Sequence, residues 1–207
     1  KTVTVDAKGG TTDESTTVTA GATTTKMTVG NTAGTAFDNA TVIAGAATTD
    51  ITVRGDKTVN VTTDALTKAV DTTSNATTIN AKIAKDAVIT LNKAGTAAST
   101  ATITLGDNAT VTNTNLDGKI TLDVAAGKTV TLTGLAAAET FDIKGTGDVT
   151  LKATAANLTG DTITKSNTGT LTVDTSAGTL TAATLDTSKV AADLIKVQAS
   201  SGAVISA

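Results

Sequence analysis

"ATITLGDNATVTNTNLDGKITLDVAAGKTVTLTG", residues 101–134, decides the fold. Apolar and polar side chains alternate through "ATITL" from Ala101, "KITLDV" from Lys119 and "TVTLTG" from Thr129. Period-two alternation sends Ile, Leu and Val to one face of an extended strand and threonine to the other. Between these runs stand "LGDNA", "LDGK" and "AAGK", whose Gly, Asn and Asp tolerate positive φ or hydrogen-bond their own backbone. The stretch reads as strands joined by turns.

The same pattern extends in both directions. Upstream lie "TVTV" from Thr2, "TTVTA" from Thr16, "KMTV" from Lys26, "DITVRG" from Asp50, "TVNVTT" from Thr58 and "AVITL" from Ala87. Downstream lie "DVTLKA" from Asp148, "TLTVD" from Thr170 and "LIKVQA" from Leu194. After Ala87 the runs recur about every nine or ten residues, a spacing shared by sandwiches and barrels. Taken in pairs they give a period of about twenty, the length of a solenoid rung.

Composition favours the solenoid. A quarter of the residues are threonine, and Cys, His, Pro, Trp and Tyr are absent. Phe37 and Phe141 are the only aromatics, Met27 the only methionine and Arg54 the only arginine. A sandwich usually pins its two sheets with a large buried ring. A β-helix can instead stack small aliphatic side chains in columns, each rung covering the last. The expected fold is therefore all-β: a parallel β-helix or β-solenoid with rungs of about twenty residues. One or two aromatic-poor β-sandwich domains are the alternative.

Three segments are expected: 1–61, an N-terminal β-rich part; 62–86, an irregular seam; and 87–207, C-terminal solenoid repeats. Within the seam, "TTDALTKAV" from Thr62 has a helix-type start and Leu66 and Val70 four apart, which reads as a short helix. "DTSKVAADLIKV" from Asp186 opens like a capped helix, although its end reads equally as strand. The opening "KTVTVDAKGG" has no Met and no signal-peptide core, as expected of a processed chain or a piece of something larger.

The net charge is −3 with scattered acids and no Lys/Arg cluster, so no nucleic-acid footprint is visible. No apolar run is long enough to span a membrane as a helix. Without His or Cys, the familiar triads and thiol sites cannot form. Glu14 and Glu139 are the only glutamates and stand far apart in sequence, and a lyase would want more arginine than Arg54. A non-enzyme is expected. The five N-x-T triplets, at Asn39, Asn60, Asn75, Asn108 and Asn157, are what this much threonine produces by chance.

A calcium site is the one metal reading the motifs offer. Asn113, Asn115, Asp117 and Gly118 match the first half of a calcium-binding loop. The twelfth position is Val124 rather than glutamate, and the flanks read as strands, so a turn is the stronger reading. "GTGD" at Gly145–Asp148 and "GGTTD" at Gly9–Asp13 resemble single fragments of calcium-binding nonapeptides. The weak Ca2+ candidates are therefore Asn113, Asn115, Asp117 and Asp148. Surface aspartates such as Asp107, Asp117, Asp148 and Asp161 could gather at one solenoid edge.

As a whole, "GTGDVTLKATAANLTGD", "NTGTLTVDTSAGTLTAATLDTSKVAADLIKV" and "ASSGAVISA" resemble the repetitive regions of Gram-negative surface-layer proteins. The members in question are the type I secreted, RTX-related kind of Campylobacter and Caulobacter. The tandem calcium nonapeptides of many members are absent here, and no site residue carries over. The resemblance implies an extracellular, cell-surface location and a structural subunit that partners itself in a lattice or fibre, bridged by calcium. It also makes cell-surface glycan or lipopolysaccharide a conceivable partner. The alternative is a binding module: an adhesin stalk, or an ice binder built on T-x-T arrays. Ice binding needs the pair at one place in every rung, and the uneven spacing of these runs predicts a broken grid.

Overall fold

The computed structural model describes the chain except residues 7–13, 31–36, 65, 73–77, 85–86, 92–98, 114–117, 135–138, 155–157, 159–160, 181–183, 200, 202 and 207. The elements that build the walls are all strands. In chain order these are β1 (Thr2–Val5), β2 (Ser15–Thr19), β3 (Lys26–Val29), β4 (Phe37–Ile43), β5 (Asp50–Val53), β6 (Gly55–Thr62) and β7 (Ala69–Asp71). Next come β8 (Thr78–Ile83), β9 (Ala87–Leu91), β10 (Ser99–Leu105), β11 (Ala109–Asn113), β12 (Gly118–Val124), β13 (Thr129–Thr133) and β14 (Thr140–Gly145). The last are β15 (Asp148–Lys152), β16 (Thr162–Lys165), β17 (Leu171–Leu180), β18 (Thr184–Asp186), β19 (Leu194–Ala199) and β20 (Val204–Ser206).

Odd-numbered strands from β1 to β19 form one ten-stranded sheet, and even-numbered strands from β2 to β16 form an eight-stranded one. Each strand pairs in parallel with the strand two places along the chain, so the backbone winds between two walls. This is a β-solenoid, with about 21 residues per turn. A small third sheet, β18 beside β20, opens at the C-terminal end.

The alternation seen in the sequence becomes columns. On the odd sheet, Met27, Ile51, Val70, Ile89, Val111, Leu132, Leu151 and Val173 stack in register and are at most 1% exposed. On the even sheet, Val59, Ile79, Ala101, Ile120, Phe141 and Ile163 do the same. Burying each such side chain is worth roughly 1.5–3 kcal/mol. Short, stiff residues lose little rotamer entropy in doing so. Long columns thus replace the large rings that a sandwich would need.

Turns vary from 19 residues, as between Thr48 and Thr67, to 24, as between Thr24 and Thr48. Register survives because the corners absorb the difference. At one corner Thr24, Thr48 and Thr67 are all buried. Thr48 Oγ1 donates to Thr24 O at 3.0 Å, and Thr67 Oγ1 donates to Thr48 O at 3.1 Å. The same three threonines close their own turns, each N–H donating to the carbonyl three residues back, on Gly21, Gly45 and Asp64. "GATT", "GAAT" and "DALT" are three copies of one turn.

That ladder corrects the helix expected from Thr62. Asp64 to Thr67 is a turn, Leu66 is 51% exposed, and the chain re-enters the odd sheet as β7. The helix expected from Asp186 is likewise absent. Val190 N–H closes a turn on Thr187 O, and β19 follows. Segment 62–86 contributes β7 and β8, each paired on both sides within the two walls.

Candidate functional site

Asn113 and Asp148 lie at different places in the solenoid. Asn113 ends β11 and Asp148 begins β15, with β13 between them. Asn113 is 1% exposed, and its Nδ2 donates to Glu139 Oε1 at 2.7 Å. Asp148 faces solvent, and its Oδ1 accepts the Thr170 N–H at 2.7 Å. Asn108, two rungs earlier in the same column, does the same, its Oδ1 taking the Thr129 N–H at 2.8 Å. Such carboxylates and amides at strand starts satisfy the first N–H of the next rung, as helix caps do for helices. Asn115 and Asp117 lie outside the described residues.

Of the aspartates expected at the surface, Asp107 meets Lys128 Nζ at 2.8 Å. Asp161 departs from expectation, being only 2% exposed. Its Oδ1 accepts the Glu139 N–H at 2.9 Å, and Glu139 is itself 1% exposed. The parallel register explains the meeting. Thr140 lies beside Thr162, so Glu139 and Asp161, each one residue earlier, stack at one corner. Asn113, Glu139 and Asp161 therefore tie together three rungs from positions 22 and 26 residues apart. No sequence signal pointed to Glu139, because the partners of a corner residue are one turn away in the chain.

The outer face of the even sheet is a regular polar surface. One column runs Thr17, Thr41, Asn60, Asn80, Thr102, Thr121, Asp142 and Thr164. Asn80 Nδ2 donates to Asn60 Oδ1 at 3.0 Å, and Asn60 Nδ2 donates to Thr41 Oγ1 at 3.3 Å, an amide ladder along the axis. A shallow cavity of about 220 Å³ lies there, lined by Asn60, Thr62, Asn80, Lys82, Thr102 and Thr104 among others. Further along, Asp142 sits between Lys119 at 3.3 Å and Lys144 at 3.4 Å. Burial raises the Asp142 carboxyl, but hydrogen bonds and charge from the two lysines outweigh it and leave it below its ordinary value.

On the odd sheet, Thr110 and Thr112 of β11 stand beside Thr131 and Thr133 of β13. Uneven spacing in the sequence therefore does not misalign T-x-T pairs, because the corners take up the extra residues. What interrupts the grid is composition: the next rungs place Lys152 and then Asp174 in the Thr133 column. Asp174 accepts from Ser176 Oγ at 2.6 Å and Ser176 N–H at 3.0 Å, which holds its carboxyl below the usual range.

Among the described residues no group of three or more Asp or Glu side chains is arranged to hold a metal ion. Fold and surface together define a β-solenoid protein with polar, ladder-bearing walls. No protein-family model, no curated protein and no solved structure matches the chain.

Proposed function

We propose that this chain is a non-enzymatic structural module of a bacterial cell-surface layer or extracellular fibre, which assembles with copies of itself through its sheet faces. The observation that carries the reading is the pair of long parallel walls, ten and eight strands wide, whose outward faces include uncharged runs of threonine and asparagine such as Thr17 to Thr121. Such walls offer repeating contacts at the strand spacing of about 4.8 Å, which suits lateral tiling. The resemblance to type I secreted surface-layer proteins supports the same role and a cell-surface location. Calcium enters as a bridge between copies, through acidic turns such as that of Asp148.

Negative-stain electron microscopy of the purified chain, with millimolar calcium and with chelator, tests this reading. Ordered sheets or fibres are the expected result, and their loss in chelator assigns calcium its bridging role. Monodisperse particles in both conditions would overturn assembly. The aligned threonines of β11 and β13 favour a second reading, a binding face for an ordered surface such as ice. Shaping of ice crystals by the monomer would mark that outcome.

A further inference from the structure

The odd-sheet core column changes character at its two ends. Met27 through Val173 are at most 1% exposed, whereas Val3 of β1 and Ile195 of β19, in the same column, are only partly buried. Val5 and Val197 are in the same state, and Leu194 is 47% exposed. The edges beside these residues are also open among the described residues, since β1 and β19 are the outermost strands of their sheet.

Hydrogen-bond parity identifies the open groups. The carbonyls of Lys1 and Val5 accept N–H groups of Thr25 and Gly30 at 2.7 and 2.8 Å. Residues 1, 3 and 5 thus face β3, and Thr2 and Thr4 turn their N–H and C=O to the free side. At the other end, the Val149 N–H donates to Thr170 O at 2.9 Å, so Leu171 and Val173 turn to β19. With Thr172 beside Leu194, the Leu194 main chain faces β17, and Ile195 and Val197 present theirs outward. Solvent-exposed edges are commonly blunted by charge or proline. Neither β1, "TVTV", nor β2, "STTVT", carries either.

We propose that copies of this chain stack head to tail, the free edge of β1 in one adding in parallel to the free edge of β19 in the next. The occupant is a second copy because the two ends are the two halves of the contact that the ten-stranded sheet already repeats at every rung. In that register Val3 covers Ile195, Val5 covers Val197 and Thr2 lies beside Leu194, so each apolar column continues unbroken. This inference rests on the self-assembly proposed above and names its axial contact.

Two proline variants test it. Thr4→Pro and Ile195→Pro each remove an N–H that the monomer does not use, at edge positions where proline is tolerated. The purified chain is expected to form end-to-end oligomers by light scattering and microscopy, and each variant to weaken them by roughly tenfold or more. Mixing the two variants should yield dimers and nothing longer, because each retains one working end. Independently of any folding defect, the chain contains no cysteine, so Thr2→Cys and Leu194→Cys can be mixed under mild oxidation. A disulfide between the two variants, but not within either alone, is expected. Lateral sheets that persist unchanged in both proline variants, with no cross-link, would overturn the axial contact and leave self-assembly standing. Monomers under every condition would overturn both.

Discussion

Lys165 Nζ lies 3.0 Å from Asp193 Oδ2, joining the two walls near the C-terminal end of the solenoid. Lys165 follows Leu122 and Ile143 in an inward column of the even sheet, while Asp193 is exposed and stands directly before β19 of the odd one. Asp193 also takes the Leu171 N–H on Oδ2 at 2.7 Å, and this bond, then Lys165, holds its carboxyl below the usual range.

Replacing Asp193 by alanine should therefore lower the thermal midpoint by a few degrees, and Asp193→Asn by less, because an amide oxygen still accepts the Leu171 N–H. Scanning calorimetry of the two variants checks the order. Equal losses would mean that the ion pair, not the backbone bond, is what matters.

Acid should weaken the fold in a defined window. Asp142, Asp174 and Asp193 all titrate below their ordinary value in the folded chain. A carboxylate depressed by folding adds stability above its unfolded pKa, about 3.9, and that stability is lost as pH falls through the folded value. These three groups should leave stability flat from pH 5 to 8, within about that range, and lower it below about pH 4. Solvent screening keeps the effect small. Urea midpoints across pH check it, and a midpoint that rises on acidification would contradict the sign.

Phe141 is 0% exposed and stacks between Ile120 and Ile163. Phe141→Ala should cost about 3–5 kcal/mol, since the rungs on either side are held by their own pairing and cannot close the void. By contrast Val88, 51% exposed on the outer face, should accept threonine within about 0.5 kcal/mol. Paired denaturation curves measure both.

Two glycines separate backbone conformation from crowding. Gly127 has φ +67° with nothing near a would-be Cβ, so Gly127→Ala should cost only about 1 kcal/mol. Gly134 has φ +80°, and a Cβ there would lie 1.8 Å from Asn113 O, forcing β11 and β13 apart. Gly134→Ala should cost several times as much, about 3 kcal/mol or more, by the same denaturation measurement.

Much of this architecture was legible in the sequence. The alternation in "ATITL", "KITLDV" and "TVTLTG" located β10, β12 and β13 and identified their inward residues. The scarcity of aromatic residues pointed to stacked rungs. "DALT" misled, because Leu66 and Val70 share helical spacing, while the feature that matters is the kinship of Thr67 with Thr24 and Thr48 across the corner. The calcium motif at Asn113 marked the end of a strand correctly, but the partner of Asn113 among the described contacts is Glu139, 26 residues away.

Local pattern alone determined which segments are strands and which side chains point inward, because period-two alternation is written within each strand. Only the tertiary structure decided which residue stacks on which. Turns of 19 and 24 residues keep one register because buried threonines and glycine-bearing corners absorb the difference. Neighbours along a column are therefore set by parallel hydrogen bonding one turn away, and no count along the chain yields the corner of Asn113, Glu139 and Asp161 or the meeting of Lys165 with Asp193.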